Sequence, residues 1–269
     1  MQDIVSVEKL HEILRATGVT ENKVTLLAGG PGSGKSYLIK ALCTYTHSVD
    51  KHTCIIGFEN EWNKIAKNLG GIVYEIPSDF RISTPNEIGN VLKDNSFVVL
   101  DMHQLITKGR NSHVLGDILN QVFNKFIMAE GKGHLYIDES GWFFDPKRDI
   151  YLEDCLKLIL CASECDKGLV MTSQIIHKPY QLKQIESLRY ALPEYRPILD
   201  AMEVLVLLGL DFQMFQALNQ DINKMSSSEK FYHGRRLSIP RLLGKLTSLV
   251  AVMGNEISVS GVNPAVLKH

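Results

Sequence analysis

Eight consecutive residues, Gly29-Gly30-Pro31-Gly32-Ser33-Gly34-Lys35-Ser36, have the types and spacing needed to hold a chain of phosphates. The pattern is G-x-x-x-x-G-K-[ST]. Gly29 and Gly34 let successive backbone N–H groups turn inward around an anion, Lys35 reaches the β- and γ-phosphates, and Ser36 offers a hydroxyl to Mg²⁺. The setting agrees: Val24, Leu26, Leu27 and Ala28 form a short buried-type strand before the loop, and Tyr37 to Tyr45 continue as a helix. The N-terminal N–H groups and dipole of that helix favour an anion. Gly29 to Tyr37 are therefore the expected nucleotide-binding residues.

Hydrolysis needs a second, acidic element to organise Mg²⁺ and the attacking water. His134-Leu135-Tyr136-Ile137-Asp138-Glu139 supplies one: a mostly apolar strand ends in Asp138, placed for the metal, and Glu139 is placed to orient water or accept its proton. Leu169 to Ser173 is another buried-type strand, ended by Gln174, whose neutral amide can sense a γ-phosphate or simply close the strand. Glu59 and Glu61 follow a strand candidate and fall at the same sheet edge, where each can meet the metal shell or begin a helix. His103 and Gln104 lie near that edge too, the histidine read as structural.

The elements that must position these residues are short apolar runs alternating with helical patterns, the mark of βαβ organisation. Strand candidates are Val24–Ala28, Thr53–Phe58, Ile72–Ile76, Phe97–Asp101, His134–Asp138, Leu169–Ser173 and Val204–Leu208. Continuous apolar strands imply burial on both faces and hence a mainly parallel sheet with ligands at its carboxyl edge. The clearest helix carries Val114, Leu115, Ile118, Leu119, Val122, Phe123, Phe126 and Ile127 on one side, with the aromatics read as core. The expected fold is an α/β P-loop NTPase (RecA-like) core over residues 22–210, with sheet flanked by helices. It is preceded by an N-terminal helix in residues 1–21 and followed by a short C-terminal extension, 211–269, ending in a hairpin. A basic stretch, 230–245, reads more readily as a solvated loop than as a DNA contact.

The chain's 269 residues carry a formal net charge of -1, which argues against a globally basic nucleic-acid coat but leaves room for a local basic groove. Five cysteines without a C-x-x-C pair, and a start without a leader pattern, point to reduced thiols and a cytoplasmic setting. Cys161 and Cys165, one helical turn apart, are expected to be packed inside and receive no chemistry. The most apolar late run, Val204 to Leu210, is far shorter than the roughly 20 residues of a membrane span, so membrane contact would be peripheral.

In their order, these motifs resemble the motor domain of conjugative type IV secretion ATPases, within the HerA–FtsK group. The resemblance rests on the loop Gly29–Ser36, on Ile55-Ile56-Gly57-Phe58-Glu59-Asn60-Glu61-Trp62 followed by Leu69-Gly70-Gly71 and Tyr74-Glu75-Ile76, and on Phe97-Val98-Val99-Leu100-Asp101. It continues through Tyr136-Ile137-Asp138-Glu139-Ser140-Gly141-Trp142 and Thr172-Ser173-Gln174. It covers roughly residues 22–210. It implies an ATP- and Mg²⁺-dependent motor that self-associates, as a hexamer or other homo-oligomer, and acts on DNA or on secretion-complex proteins. Two departures stand out: Gly57 where the family usually has aspartate, and Ser163 where it usually has the arginine that completes a neighbour's site. Turnover is therefore expected to be slow, or the cation to have moved to Arg189 or Arg196, with Arg148 a weaker substitute.

Two other classes fit the same loop. A small-molecule or nucleotide kinase would use it equally well, although Glu139 directly after Asp138 and the lack of an arginine-rich lid argue against one. A nucleotide-gated scaffold with little turnover draws its support from Ser163. The absence of an N-K-x-D base-reading motif disfavours a GTPase.

Overall fold

The computed structural model describes residues 22–30, 32–47, 52–58, 61–78, 80, 87–107, 112–140, 152–173, 203–208, 248–253 and 256–261. The expected N-terminal helix and the basic stretch 230–245 lie outside them. The described residues fall into two compact units, one holding 24–35 with the strands beyond Ser173, the other holding 22–23 and Ser36–Thr172.

In the larger unit five strands, β2 (His52–Gly57), β3 (Ile72–Glu75), β4 (Phe97–Asp101), β5 (Gly133–Ile137) and β6 (Lys167–Ser173), form a parallel sheet in the order β3-β4-β2-β5-β6. β4, β5 and β6 are buried end to end and β2 is buried beyond its exposed first residue, His52, while β3, at the edge, is half-exposed, as continuous apolar runs require. Register aligns their carboxyl ends: Gly57 stands opposite Asp101, and Ile56 and Met171 both stand opposite Ile137. The edge continues past the strands, because Asp138 N–H donates to Ile56 O at 3.1 Å and Met102 N–H to Gly57 O at 2.8 Å. The helices of this unit are α1 (Lys35–His47), α2 (Trp62–Asn68), α3 (Glu87–Asp94), α4 (His103–Thr107), α5 (Ser112–Val122) and α6 (Leu152–Ala162).

The helix expected to run from Val114 to Ile127 changes character part-way: α5 ends at Val122 and a single π-helical turn, Phe123–Ile127, continues it. All eight apolar residues of that pattern are buried. Their spacing explains the turn. They repeat every four residues, and four residues of α-helix overshoot a full circle by about 40°. Two unbroken stripes of this kind would drift off the core, and a wider turn closing on Met128 N–H to Phe123 O, 3.0 Å, turns them back.

In the smaller unit β1 (Val24–Gly29), β7 (Val204–Leu208) and β8 (Ser248–Met253) run parallel, and β9 (Glu256–Gly261) returns antiparallel to β8. β1 is buried throughout, anchored at its start where its Val24 N–H donates to Glu203 Oε2 at 2.9 Å.

Candidate functional site

The phosphate loop leaves β1 at Gly29, where a Cβ would stand 2.6 Å from both the Leu208 carbonyl and Ser33 Oγ, so only glycine lets β7 and the loop close on the strand. Ser33 N–H donates to Gly30 O at 3.3 Å, and Gly32 and Gly34 take left-handed φ of 71° and 91°. A Cβ at Gly30, Gly32 or Gly34 would meet nothing within 4 Å, so one side of the loop backbone is open to an approaching anion. The Lys35 ammonium, buried, donates to Gly29 O and Gly30 O at 2.9 Å each. Ser33 Oγ is buried with no hydrogen-bond partner. α1 begins at Lys35 with no acidic residue in its first turn, so its own sequence sets no carboxylate against an anion at the helix start. Ser36 is half-buried and Tyr37 is exposed at 59%. Open glycines, a buried ammonium and a helix start fit a phosphate chain. Pro31 lies outside the described residues.

The acidic end is organised by contacts that reach far along the chain. Asp138 is 6% exposed; its Oδ1 accepts the Thr172 hydroxyl at 2.8 Å and its Oδ2 accepts the Trp62 indole N–H at 3.2 Å. Glu139 takes a left-handed φ of 56°, and its N–H donates to Thr172 Oγ1 at 2.8 Å. Ser140 Oγ donates to Thr172 O at 2.7 Å. α1 is tied to the same strands: Thr46 Oγ1 and Tyr136 OH share a hydrogen bond of 2.7 Å, and Lys40 lies 5.7 Å from the Trp62 ring centroid.

Trp62 and Thr172 carry the acidic end, yet the sequence assigned neither a role. Glu61, expected near the metal shell or the water, pairs with Lys40, its side chain 54% exposed, and directly precedes α2. It is the next residue, turned about 100° around the helix, that reaches Asp138. His103 N–H donates to Asp101 Oδ1 at 2.9 Å, and Gln104 Nε2 donates to Glu75 Oε2 at 3.1 Å. Gln174, Glu59, Arg148, Arg189 and Arg196 lie outside the described residues.

Ser36 and Asp138 offer the hard oxygen donors that suit Mg²⁺, and among the described residues no group of three or more His, Cys, Asp or Glu could hold a metal on its own. A hydroxyl and one carboxylate completing a shell of phosphate and water oxygens fit Mg²⁺ better than a protein-only cage. Burial pushes the Cys43 and Cys54 thiols upward, consistent with inert core packing. The expectation for Cys161 and Cys165 is corrected: both are half-exposed, because α6 ends at Ala162 and a 3₁₀ turn, Ser163–Cys165, carries the second outward toward Met128.

No known family model matches the sequence, and no curated protein does. Among solved structures, VirB4 of Thermoanaerobacter pseudethanolicus superposes with a TM-score of 0.53 at 14% identity, over 92% of this chain and 91% of that one. The genome packaging NTPase B204 from Sulfolobus turreted icosahedral virus 2, in complex with ATP-gammaS, gives 0.46 at 14% identity over 88% and 96%. The flagellar accessory protein FlaH from Methanocaldococcus jannaschii gives 0.40 at 10% identity over 92% and 81%. Together with the loop, the parallel strands and the flanking helices, the match to VirB4 establishes the fold: the chain has the α/β fold of RecA-like P-loop NTPases.

Proposed function

We propose that the chain is a Mg²⁺-dependent ATP-hydrolysing motor that couples hydrolysis to the movement of DNA or protein, or to assembly, in a conjugation or type IV secretion complex. The observation that carries this reading is the pairing of two motifs, in the order of that family, within a fold shared with VirB4: a phosphate loop between β1 and α1, and an oriented Asp138-Glu139 pair after β5. Lys35 clamps the phosphates, and Gly29 to Tyr37 line them. Ser36 and Asp138 hold Mg²⁺ directly or through water, which neutralises charge on the transferring phosphoryl group. Glu139 activates water, and Gln174 senses the γ-phosphate. The motor acts as a homo-oligomer, with Arg189 or Arg196 reaching a neighbouring subunit. No described helix is long and apolar enough to cross a membrane, which suits a cytoplasmic motor peripheral to a membrane complex.

A scaffold that binds ATP and assembles without appreciable turnover is the second reading, favoured by Ser163 standing where a trans-acting arginine is expected. Phosphate release by the purified chain, measured with and without single- and double-stranded DNA and with the oligomeric state recorded, separates the readings. Turnover stimulated by DNA supports the translocase. Turnover only with a phosphate acceptor replaces it with a kinase, and binding without turnover replaces it with the scaffold.

A further inference from the structure

The Thr172 hydroxyl has one proton, and it is given to Asp138 Oδ1; the oxygen's lone pair then receives the Glu139 N–H, both at 2.8 Å. Turning that hydroxyl away breaks both bonds at once. The carboxylate of Asp138 and the backbone of Glu139 are thus locked to each other through a residue on a neighbouring strand. The lock matters because Glu139 sits at φ 56°, a conformation a non-glycine residue keeps only when its surroundings over-determine it. Ser140 adds to this by donating to Thr172 O, so Thr172 is held at its main chain as well.

The other carboxylate oxygen is fixed from the opposite side. Trp62 is fully buried, and its ring fills the space beside Gly57, where a Cβ would stand 2.6 Å from Cδ1. A side chain at position 57 would push the indole off Asp138. Gly57 is therefore a seat for Trp62, which gives a physical reason for glycine where the resembling family has aspartate. With one lone pair on each oxygen engaged, Asp138 keeps one on each for a metal or its water, in a fixed direction.

We propose that Thr172 and Trp62 are positioning residues that together aim Asp138 at the metal and Glu139 at the attacking water. This rests on the hydrolase reading above. Thr172→Val keeps the side chain's shape and removes the hydroxyl, Thr172→Ser restores it, and Trp62→Phe keeps a ring and removes the N–H donor. Supporting groups of this kind typically control 10- to 100-fold in activity. Thr172→Val is expected to lower kcat by about that range with KM for Mg·ATP changed less than about threefold, and Thr172→Ser to recover most of the loss. Trp62→Phe is expected to lower kcat about tenfold and to raise the Mg²⁺ concentration for half-maximal turnover. Folded Thr172→Val hydrolysing at the parental rate overturns the proposal, as does equal impairment in Val and Ser variants, which would mark a packing role. If Thr172→Val does not fold, Trp62→Phe decides: parental kcat and Mg²⁺ dependence overturn the proposal.

A readout independent of turnover separates failure of this proposal from failure of the hydrolase reading. Trp62 and Trp142 are the two tryptophans, so in a Trp142→Phe background the emission belongs to Trp62. Loosening Asp138 by Thr172→Val is expected to shift that emission whether or not ATP is hydrolysed, and an unchanged spectrum overturns the clamp.

Discussion

The phosphate loop leaves space beside its glycine backbone, whereas the acidic end offers side-chain acceptors that are already engaged. Around Gly30, Gly32 and Gly34 there is free space, and the Lys35 ammonium donates to Gly29 O and Gly30 O, both within the loop. Around Asp138 both oxygens are occupied by groups 34 and 76 residues away, and the next residue is held in a left-handed conformation. An anion can dock on a loop that adjusts, but a water must be aimed by a group that does not. On the proposed reading, the first region would hold the nucleotide and the second would set the rate at which water attacks it.

The largest expected effect concerns a cation that neither region supplies from its own described residues. Charge developing on a γ-phosphate can be stabilised by a partner's arginine by a factor on the order of 10³ or more in rate. Arg189→Ala or Arg196→Ala is expected to lose turnover on that scale. Mixing with Lys35→Ala subunits, whose own sites are dead, is expected to restore it by lending an intact arginine across the interface. If no arginine variant lowers turnover and mixing restores nothing, completion in trans is wrong.

Lys35→Ala breaks the comparison from the loop side. Removing the ammonium is expected to weaken nucleotide binding and turnover together, the rate falling on the order of 10²- to 10³-fold. Equilibrium binding of a nucleotide analogue, measured beside phosphate release, checks it; hydrolysis at the parental rate would remove Lys35 from the mechanism. Glu139→Gln breaks it from the acidic side. The amide keeps the shape but loses the carboxylate, so binding is expected to persist while hydrolysis slows about 10²-fold or more. Equal loss of binding would place Glu139 in the metal or folding shell, and unchanged turnover would move the role to Glu59 or Glu61.

The same contrast decides what could be read in the sequence. The loop is eight adjacent residues whose chemistry is mostly main chain, so its pattern alone predicts its geometry. The strands were legible because buried parallel strands are unbroken apolar runs: Phe97–Asp101 and Val204–Leu208 match residue for residue, the others within two residues at either end. α2 and α3 were not legible, since each is short and buries only two side chains. The π-helical turn left a trace in the four-residue spacing from Val114 to Ile127, which an ordinary helical reading passes over. Asp138 and Glu139 were visible as a strand end, but what holds them comes from Trp62 and Thr172, joined only by folding. Gly57, five residues before a buried tryptophan, was the one local sign of it.

The smallest expected effect tests whether a buried lysine by itself marks function here. Lys167 is 2% exposed, more buried than Lys35 at 5%, with its ammonium donating to Gly131 O and lying 5.6 Å from the Phe126 ring centroid. Burial lowers its pKa from the ordinary 10.5, with Asp166 opposing. Below the folded-state value the lysine is charged in both folded and unfolded chains, and the folded chain bears the full cost of a desolvated charge. As pH rises through that lowered value the folded form releases its proton first, so the unfolded chain holds more protons and stability increases, until both forms are neutral above 10.5. Thermal unfolding of wild type and Lys167→Met across mildly to strongly alkaline pH should therefore show wild type gaining on the variant as pH climbs through this window. Phosphate release at neutral pH should stay close to that of wild type, since Lys167 opens β6 while Thr172 stands near the other end of that strand. A Lys167→Met protein that loses turnover as Lys35→Ala does would show that burial of the charge, and not its place in the phosphate loop, is what the two lysines share.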